Sequence, residues 1–263
     1  VLIMGIDRES TSVPSAYRNG GQADFLRLFV IDTKADTLTQ IQIDRDTVTP
    51  ITILGVMGDK AGVRNAQISL SHGFGDGGKQ SCELTVEAVS NFLNGTSVDY
   101  YIAMTLDGII ALNDLVGGVT VTIQEDLTDA DPALAEGATI TLMGDQAEAF
   151  VRSRMAVGEG TNVERMGRQE QYAKELFTIL ADHVREDKNY AGDLFDALKQ
   201  YMTTDISRGR LVNLAWSCRN YERADVVSLA GTHQVGADGF MTFQVNESEL
   251  QKIVLDVFYD RVE

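Results

Sequence analysis

Apolar residues recur along this chain in short runs that alternate with amphipathic stretches of helical length. The run Val1–Ile6 leads into Asp7, as a buried strand with a polar carboxyl end does. Two further runs, Phe25–Asp32 and Leu38–Ile43, are separated by a turn-like segment and predict a hairpin. Apolar residues at helical spacing predict a helix over residues 79–93. Strands that alternate with helices in this way indicate an α/β fold.

The rest of the pattern continues this alternation. Further strands are expected at Val98–Met104, 119–123, Val226–Leu229 and Phe240–Val245, and further helices at Asp107–Leu115, 144–150, 162–184, Asp193–Met202, Ser207–Arg219 and Glu247–Phe258. Residues 48–78 lack a clear period, so we expect a long irregular segment there. The three prolines and the absence of a Pro- or Ser-rich linker favour a single domain over residues 1–263.

Charge excludes one class of partner. The chain has 39 acidic and 22 basic residues and a formal net charge of -17. Nonspecific nucleic-acid binding depends on a basic surface, so we expect no nucleic-acid partner. No stretch approaches the roughly 20 apolar residues of a membrane span. The sequence opens directly on an apolar run, and we therefore expect that any targeting segment has been trimmed.

Against this acidic background, residues 151–171 carry four arginines, Arg152, Arg154, Arg165 and Arg168. The planar guanidinium group suits bidentate contact with phosphate oxygens. Arg152 and Arg154 share a face if their segment is extended, or lie at the end of the preceding helix. Arg165, Arg168 and Gln169 share one face if residues after 162 are helical. The segment is therefore a candidate anion site, and the alternative is that these arginines pair with surface carboxylates.

Four aspartates, Asp7, Asp24, Asp44 and Asp46, lie beside the predicted strand ends. In α/β sheets ligands bind at the carboxyl ends of strands. Carboxylate oxygens are hard ligands that suit Mg²⁺, which commonly takes one or two carboxylates plus substrate phosphates. A single aspartate at such a position is more often a cap or turn residue, but the grouping favours a Mg²⁺ site.

The cysteines and histidines give weaker signals. Cys82 and Cys218 form no metal-binding pattern and are either two buried thiols or a disulfide. His72, His183 and His233 are scattered without metal-ligand spacing, so we expect them to be surface or core residues.

An ordered set of motifs resembles the LytR-CpsA-Psr family. The motifs are LIMGID (2–7), Asp24 before the second strand, IDRDT (43–47), VDYYIAMTLDGIIALNDLVGGVTV (98–121), GDQAEAFVRSR (144–154) and ERMGRQEQ (164–171), with a family-like tail at 228–250. Together they span nearly the whole chain, and the ordered set is far more specific than any one motif.

The resemblance implies a central mixed β-sheet sandwiched between helical layers. It also implies an enzyme on the outer face of the bacterial cytoplasmic membrane, held by an N-terminal membrane anchor that is absent from this sequence. Members of this family move a glycopolymer, such as teichoic acid or capsular polysaccharide, from a polyprenyl-pyrophosphate carrier to peptidoglycan, forming a phosphodiester. The implied partners are the lipid-linked glycopolymer, peptidoglycan and the membrane.

The resemblance also assigns site residues. The pyrophosphate-binding arginines of the family correspond to Arg45, Arg152, Arg154 and Arg165, with Arg168 and Gln169 beside them, and the Mg²⁺-associated aspartates correspond to Asp7 and Asp24. Asp46 or Asp7 is the expected proton acceptor.

This chain departs from the family pattern at two positions. Gln22 stands where the family commonly has an arginine, which removes a phosphate contact unless Arg18 or Arg27 replaces it. Asp44 stands where the family commonly has proline, and it adds a negative charge beside Arg45. Two alternatives stay open. A polyprenyl pyrophosphate hydrolase would use the same residues with water as the acceptor, and a non-catalytic module that binds polyprenyl phosphates is favoured by the missing arginine at position 22.

Overall fold

Strands and helices alternate along the chain largely as the apolar pattern predicts. The computed structural model describes residues 1–8, 20–153, 162–236 and 239–259. The strands are β1 Leu2–Ile6, β2 Ala23–Asp32, β3 Thr37–Ile43, β4 Val48–Leu54, β5 Lys60–Gln67, β6 Tyr101–Met104, β7 Val119–Thr122, β8 Thr139–Leu142, β9 Met202–Thr204, β10 Glu222–Arg223, β11 Val227–Ser228, β12 Gly231–Val235 and β13 Met241–Val245. The helices are α1 Leu70–Gly73, α2 Lys79–Phe92, α3 Leu106–Leu115, α4 Asp145–Arg152, α5 Asn162–Glu186, α6 Tyr190–Leu198, α7 Arg208–Ser217 and α8 Glu247–Phe258, with a 3₁₀ turn at Lys199–Tyr201.

The chain forms two units that are interleaved along the sequence. Unit 1 comprises Val1–Thr105, Gln200–Ser207 and Asn220–Glu263, and unit 2 comprises Leu106–Lys199 and Arg208–Arg219. The chain passes from one unit to the other four times. The single domain expected from the sequence stays a prediction.

A seven-stranded mixed sheet organises unit 1. Its strand order is β10-β3-β2-β1-β6-β9, and β11 also pairs with β3. β1 is parallel to β6 and antiparallel to β2, and β2 and β3 form the predicted hairpin. The mixed α/β class and the central mixed sheet are thus confirmed.

One face of this sheet carries the core of unit 1. Leu2, Met4 and Ile6 alternate along β1 and are buried, while the residues between them are half-buried. Leu26 on β2 and Ile41 on β3 continue the same cluster, which α2 and α8 complete with Cys82, Ala88, Val89, Leu250 and Val254. Burial of each large aliphatic side chain contributes roughly 1.5–3 kcal/mol, so this alternation fixes the register of the sheet.

The expectation of an irregular segment over residues 48–78 is wrong. The segment contains the antiparallel hairpin β4–β5 and the short helix α1. β4 contains Pro50, which argues against a strand but is tolerated because it is exposed. β5 has the sequence KAGVRNAQ and is mostly exposed, so no apolar alternation marks it.

Short strands at the edges were also missed. β9, β10 and β12 have two to five residues and no buried apolar positions, and β8 has four residues of which only Leu142 is buried. The helix expected at Asp193–Met202 ends earlier, because Met202 begins β9 and pairs with Met104. Cys82 and Cys218 are both thiols, but only Cys82 is buried, so neither a disulfide nor a pair of buried thiols describes them in full.

Unit 2 packs its helices around α5, the longest described helix. α5 contacts β7, α4, α6 and α7. Two polar contacts fix the register of α5: Gln171 donates to the carbonyl of Thr122 at 2.9 Å, and the Tyr172 hydroxyl donates to Asn113 at 3.3 Å. Within the described ranges, no helix is both long enough and apolar enough to cross a membrane.

Candidate functional site

A β-bulge places Asp24 at one end of the central sheet. Gly5 pairs with Phe25 and Ile6 pairs with Ala23, so Asp24 is the extra residue between two successive pairs. Bulges interrupt a ladder locally and re-aim side chains, often beside active sites. Asp7 follows β1 directly and its N–H donates to the carbonyl of Gln22 at 2.9 Å. Asp7 and Asp24 therefore come from adjacent strands at the same end of the sheet.

Arg45 lies buried beside this bulge, in the turn after β3. Its Nη1 is 2.6 Å from Asp24 Oδ1 and its Nε is 3.5 Å from Asp46 Oδ1. Its Nη2 donates to the side-chain oxygen of Gln22. A buried cation is tolerated only when opposite charges and hydrogen bonds compensate its lost hydration, and these three side chains supply both. We call Gln22, Asp24, Arg45 and Asp46 the Arg45 cluster.

The backbone of the same turn is fixed by Ser69. The Ser69 N–H donates to the carbonyl of Arg45 at 3.1 Å, and the carbonyl of Ser69 accepts the Ala23 N–H at 3.1 Å. One residue therefore ties the Arg45 turn to the start of β2. Ser69 lies in the segment that the sequence left as irregular, and nothing in its residue type indicated this role.

His72 supports the loop that carries Gln22. Its Nδ1 is 3.1 Å from the carbonyl of Gly21, and its Nε2 faces the sulfur of Cys82 at 3.9 Å. Because the carbonyl accepts, Nδ1 carries the proton. Burial lowers the pKa of His72 to about 4 and raises the pKa of the Cys82 thiol to about 12. Both groups are therefore neutral at pH 7.

Asp44 and Asp46 tie the turn to the β12–β13 hairpin. Asp44 Oδ2 is 2.6 Å from His233 Nε2, and Asp46 Oδ1 accepts a hydrogen bond from Gln67 at 2.9 Å. The Phe243 N–H donates to the carbonyl of Asp46 at 2.8 Å. No role for His233 could be predicted from the sequence, because its partner Asp44 lies 189 positions away. The negative charge that Asp44 adds beside Arg45 faces an imidazole.

In unit 2, α5 directs Arg168 at the end of α4. Arg168 is buried; its Nε donates to the carbonyl of Phe150 at 3.0 Å and its Nη2 donates to the carbonyl of Ser153. Its Nη1 is 2.5 Å from Glu125 Oε2. Gln169 donates to the carbonyl of Val151 at 3.2 Å. The last carbonyls of a helix have no partner within it, so these two side chains cap α4.

The three other predicted arginines of this region differ in setting. Arg165 is buried in the first turns of α5. Arg152 is the last residue of α4, and its half-exposed side chain pairs with Glu148 at 2.9 Å, one helical turn earlier. Arg154 lies outside the described residues, as does Arg18. Arg27 is buried and bonded to Gln40 and Gln42.

The donor set at the end of the sheet fits a Mg²⁺ ion. Asp24 and Asp46 flank the Arg45 guanidinium, Asp44 directly precedes Arg45 in the turn, and Asp7 directly follows β1. Among these named groups four carboxylates accompany one arginine, so a divalent cation would offset the excess negative charge for a phosphate ligand. Among the described residues, no three His, Cys, Asp or Glu side chains form a metal-binding group. Two carboxylates are sufficient for Mg²⁺, which draws its other ligands from water and phosphate.

Known proteins match this chain over most of its length. The LytR_cpsA_psr family model matches residues 1–256. The polyisoprenyl-teichoic acid–peptidoglycan teichoic acid transferase TagU of Bacillus anthracis is 25% identical over 262 residues, which cover 96% of this chain and 76% of that protein. Protein gbs0355 from Streptococcus agalactiae has a TM-score of 0.77 and 22% identity, with 100% of this chain and 88% of that one covered. B. subtilis TagV has a TM-score of 0.72 and 22% identity, with 99% and 97% covered. These two structures share the fold.

Proposed function

The chain belongs to the LytR_cpsA_psr family, and we propose that it moves a glycopolymer from a polyprenyl-pyrophosphate carrier to peptidoglycan, forming a phosphodiester. The relative from B. anthracis is named as a teichoic acid transferase that acts on peptidoglycan. The observation that carries the proposal is the Arg45 cluster, in which a buried guanidinium is held at one end of the central sheet of a strongly acidic protein. Such a fixed cation stabilises developing phosphate charge at little reorganisation cost.

Arg45 contributes the cationic contact of unit 1 to the donor's pyrophosphate. All three of its nitrogens face side chains rather than backbone, and side chains can rotate to admit a phosphate oxygen. Arg152, Arg154 and Arg165 have the same assigned role in unit 2. Each assignment is tested by its own substitution.

Arg168 and Gln169 support this role indirectly. They bond three carbonyls at the end of α4, the helix whose last residue is Arg152. A misplacement of about 1 Å can cost roughly 10²-fold in rate, so holding the helix end is a catalytic requirement. We assign these two residues to the positioning of Arg152.

The reaction requires little covalent participation from the protein. An acceptor hydroxyl of peptidoglycan attacks the phosphorus that carries the glycopolymer. The new P–O bond forms as the bond to the polyprenyl phosphate breaks, and polyprenyl phosphate leaves with the bonding electrons. The hydroxyl proton passes to a carboxylate, for which Asp46 and Asp7 are the candidates. Asp46 is buried and hydrogen-bonded to Gln67, whereas Asp7 is exposed.

Asp7 and Asp24 would hold the Mg²⁺ ion. When bound, the ion would neutralise charge on the phosphate oxygens and so favour departure of the polyprenyl phosphate. Asp24 would serve two purposes, because it also orients Arg45.

The setting follows from the substrates. A lipid-linked donor and a cell-wall acceptor meet at the outer face of the cytoplasmic membrane, so we place the protein there, with an anchor outside the sequence given. Teichoic acid is the glycopolymer in the name of the B. anthracis relative, and it is the donor to test first, with capsular polysaccharide second.

The direct test is transfer in vitro from a polyprenyl-pyrophosphate-linked teichoic acid to peptidoglycan, with Mg²⁺ present. We expect glycopolymer linked to peptidoglycan through a phosphodiester, and loss of about 100-fold or more in rate in Arg45→Ala. Arg64→Ala is the matched control, because Arg64 is an arginine of the same unit on the mostly exposed strand β5. Release of the glycopolymer without acceptor would identify a hydrolase, and donor binding without turnover would identify a binding module.

A further inference from the structure

His233 and Asp44 form a contact that the family assignment does not explain. The Nε2 of His233 is 2.6 Å from Asp44 Oδ2, and Asp44 is buried. A carboxylate accepts, so Nε2 carries a proton in either charge state of the ring. The contact therefore fixes the orientation of the Asp44 carboxyl group whether or not His233 is protonated.

The second oxygen of Asp44 closes the turn around Arg45. Asp44 Oδ1 accepts the N–H of Asp46 at 2.8 Å, and the carbonyl of Asp44 accepts the N–H of Thr47 at 3.0 Å. These two bonds span Arg45, which lies between their ends. The direction in which Arg45 leaves the backbone thus depends on how the Asp44 carboxyl group is held.

The β12–β13 hairpin gives His233 a fixed place from which to act. Phe243 lies opposite His233 in the hairpin, and the two rings are 4.8 Å apart. Phe243 also donates its N–H to the carbonyl of Asp46 at 2.8 Å, and Gln67 bonds both Asp46 Oδ1 and the carbonyl of Met241. The hairpin therefore contacts the turn on both sides of Arg45.

We propose that His233 is a positioning residue, which acts through Asp44 to fix the turn that presents Arg45 to the donor's phosphates. This inference rests on the proposed function. Proline, which the resemblance leads one to expect at position 44, would restrict the turn through its own ring. In this chain the imidazole–carboxyl contact restricts the same turn from a hairpin near the C-terminal end.

The test combines pyrophosphate binding with the stability of the turn. Inorganic pyrophosphate with Mg²⁺ is titrated by calorimetry into the wild type, His233→Ala, His233→Gln, His233→Asn, Asp44→Ala and the double alanine variant. The amide nitrogen of a glutamine side chain reaches roughly the position of His233 Nε2, whereas the shorter asparagine side chain does not reach that position. His183→Ala, which removes a histidine stacked on Tyr190 in unit 2, is the matched control.

We expect His233→Ala to weaken binding by about tenfold while its Tm stays within about 2 °C of the wild type. His233→Gln restores binding to within about twofold and His233→Asn does not. The double variant binds as Asp44→Ala does, because both residues act through one contact. Wild-type affinity in His233→Ala, equal rescue by Gln and Asn, or additive losses in the double variant would each overturn the proposal.

Amide hydrogen exchange tests the positioning role of His233 independently of pyrophosphate binding and thus of the proposed function. In His233→Ala the amides of Asp46 and Thr47 should exchange faster, and in His233→Gln they should return to the wild-type rate. If the wild type fails to bind pyrophosphate, the donor site is wrong, yet faster exchange at these two amides still supports the positioning role. Unchanged exchange would overturn the role of His233 whatever the binding result.

Discussion

Arg45 in unit 1 and Arg168 in unit 2 are both buried and both engage all three guanidinium nitrogens, but with different partners. Arg45 faces the side chains of Gln22, Asp24 and Asp46. Arg168 faces Glu125 and two main-chain carbonyls at the end of α4. Side chains can exchange a partner for a ligand, whereas the carbonyls at the end of α4 would lose the hydrogen bonds that Arg168 donates to them. We therefore predict that Arg45 contacts a ligand and that Arg168 braces the end of α4.

The largest effect on folding is expected for Arg168→Ala. The substitution removes the cation beside Glu125 and the hydrogen bonds that Arg168 donates to the carbonyls of Phe150 and Ser153, so the free energy of unfolding should fall by about 3 kcal/mol or more. Urea unfolding measures this loss. Arg152→Ala is the control, since its exposed pair one turn apart is worth about 0.3–0.5 kcal/mol. Equal midpoints for the two variants would contradict the brace interpretation.

Arg45→Lys should show the opposite behaviour. The ammonium group keeps a positive charge beside Asp24 but cannot form the planar, bidentate contact with phosphate, so transfer should slow by about 100-fold. The Tm should fall less than in Arg168→Lys, because the side chains around position 45 can rotate towards the ammonium group, whereas the main-chain carbonyls at the end of α4 cannot. Arg168→Lys is the matched comparison, because a single ammonium cannot reach three acceptors and stability should fall. If Arg45→Lys lost stability but kept its transfer rate, Arg45 would be the structural brace and not the phosphate contact.

The sequence revealed the strands and helices whose buried residues recur at regular spacing along the chain. β1, β2, β3 and α2 were predicted because alternate or helically spaced positions face the core. The β4–β5 hairpin was missed because β5 is mostly exposed and β4 contains Pro50. Exposed strands are stabilised by ladder hydrogen bonds, which any residue type except proline supplies in full. Their presence therefore leaves little trace in residue order.

For the candidate site, the sequence revealed charges but not partners. Arg45, Asp24 and Asp46 were identified through motifs, and the structure brings them within ion-pair distance. Ser69 and His233 were missed because a backbone bond or a contact across 189 positions has no local pattern. The bulge at Asp24 was also invisible, since it depends on how two strands pair.

Acid should weaken unit 1 through His72. Its pKa of about 4 in the folded chain lies below its ordinary value of 6.5, so the unfolded chain binds the proton first as pH falls. The free energy of unfolding therefore keeps the full contribution of neutral His72 above about pH 6.5 and loses it progressively towards pH 4. The loss at pH 5 is about 2 kcal/mol. Urea unfolding between pH 7 and pH 4 measures the loss. His72→Asn, which can still donate to the Gly21 carbonyl but does not titrate, should lack this part of the pH dependence.

The smallest expected effect on stability distinguishes Gln22, which contacts Arg45, from Gln169, which caps α4 beside Arg168. Gln22 accepts a hydrogen bond from Arg45 through its oxygen, whereas Gln169 donates to the Val151 carbonyl through its nitrogen. Gln22→Glu should leave the urea midpoint nearly unchanged, because a carboxylate accepts from a guanidinium at least as well as an amide does. Gln169→Glu places an acceptor against a carbonyl, and the free energy of unfolding should fall by about 1 kcal/mol. Equal shifts of the urea midpoint in both variants would contradict the distinction between side-chain partners around Arg45 and main-chain partners around Arg168.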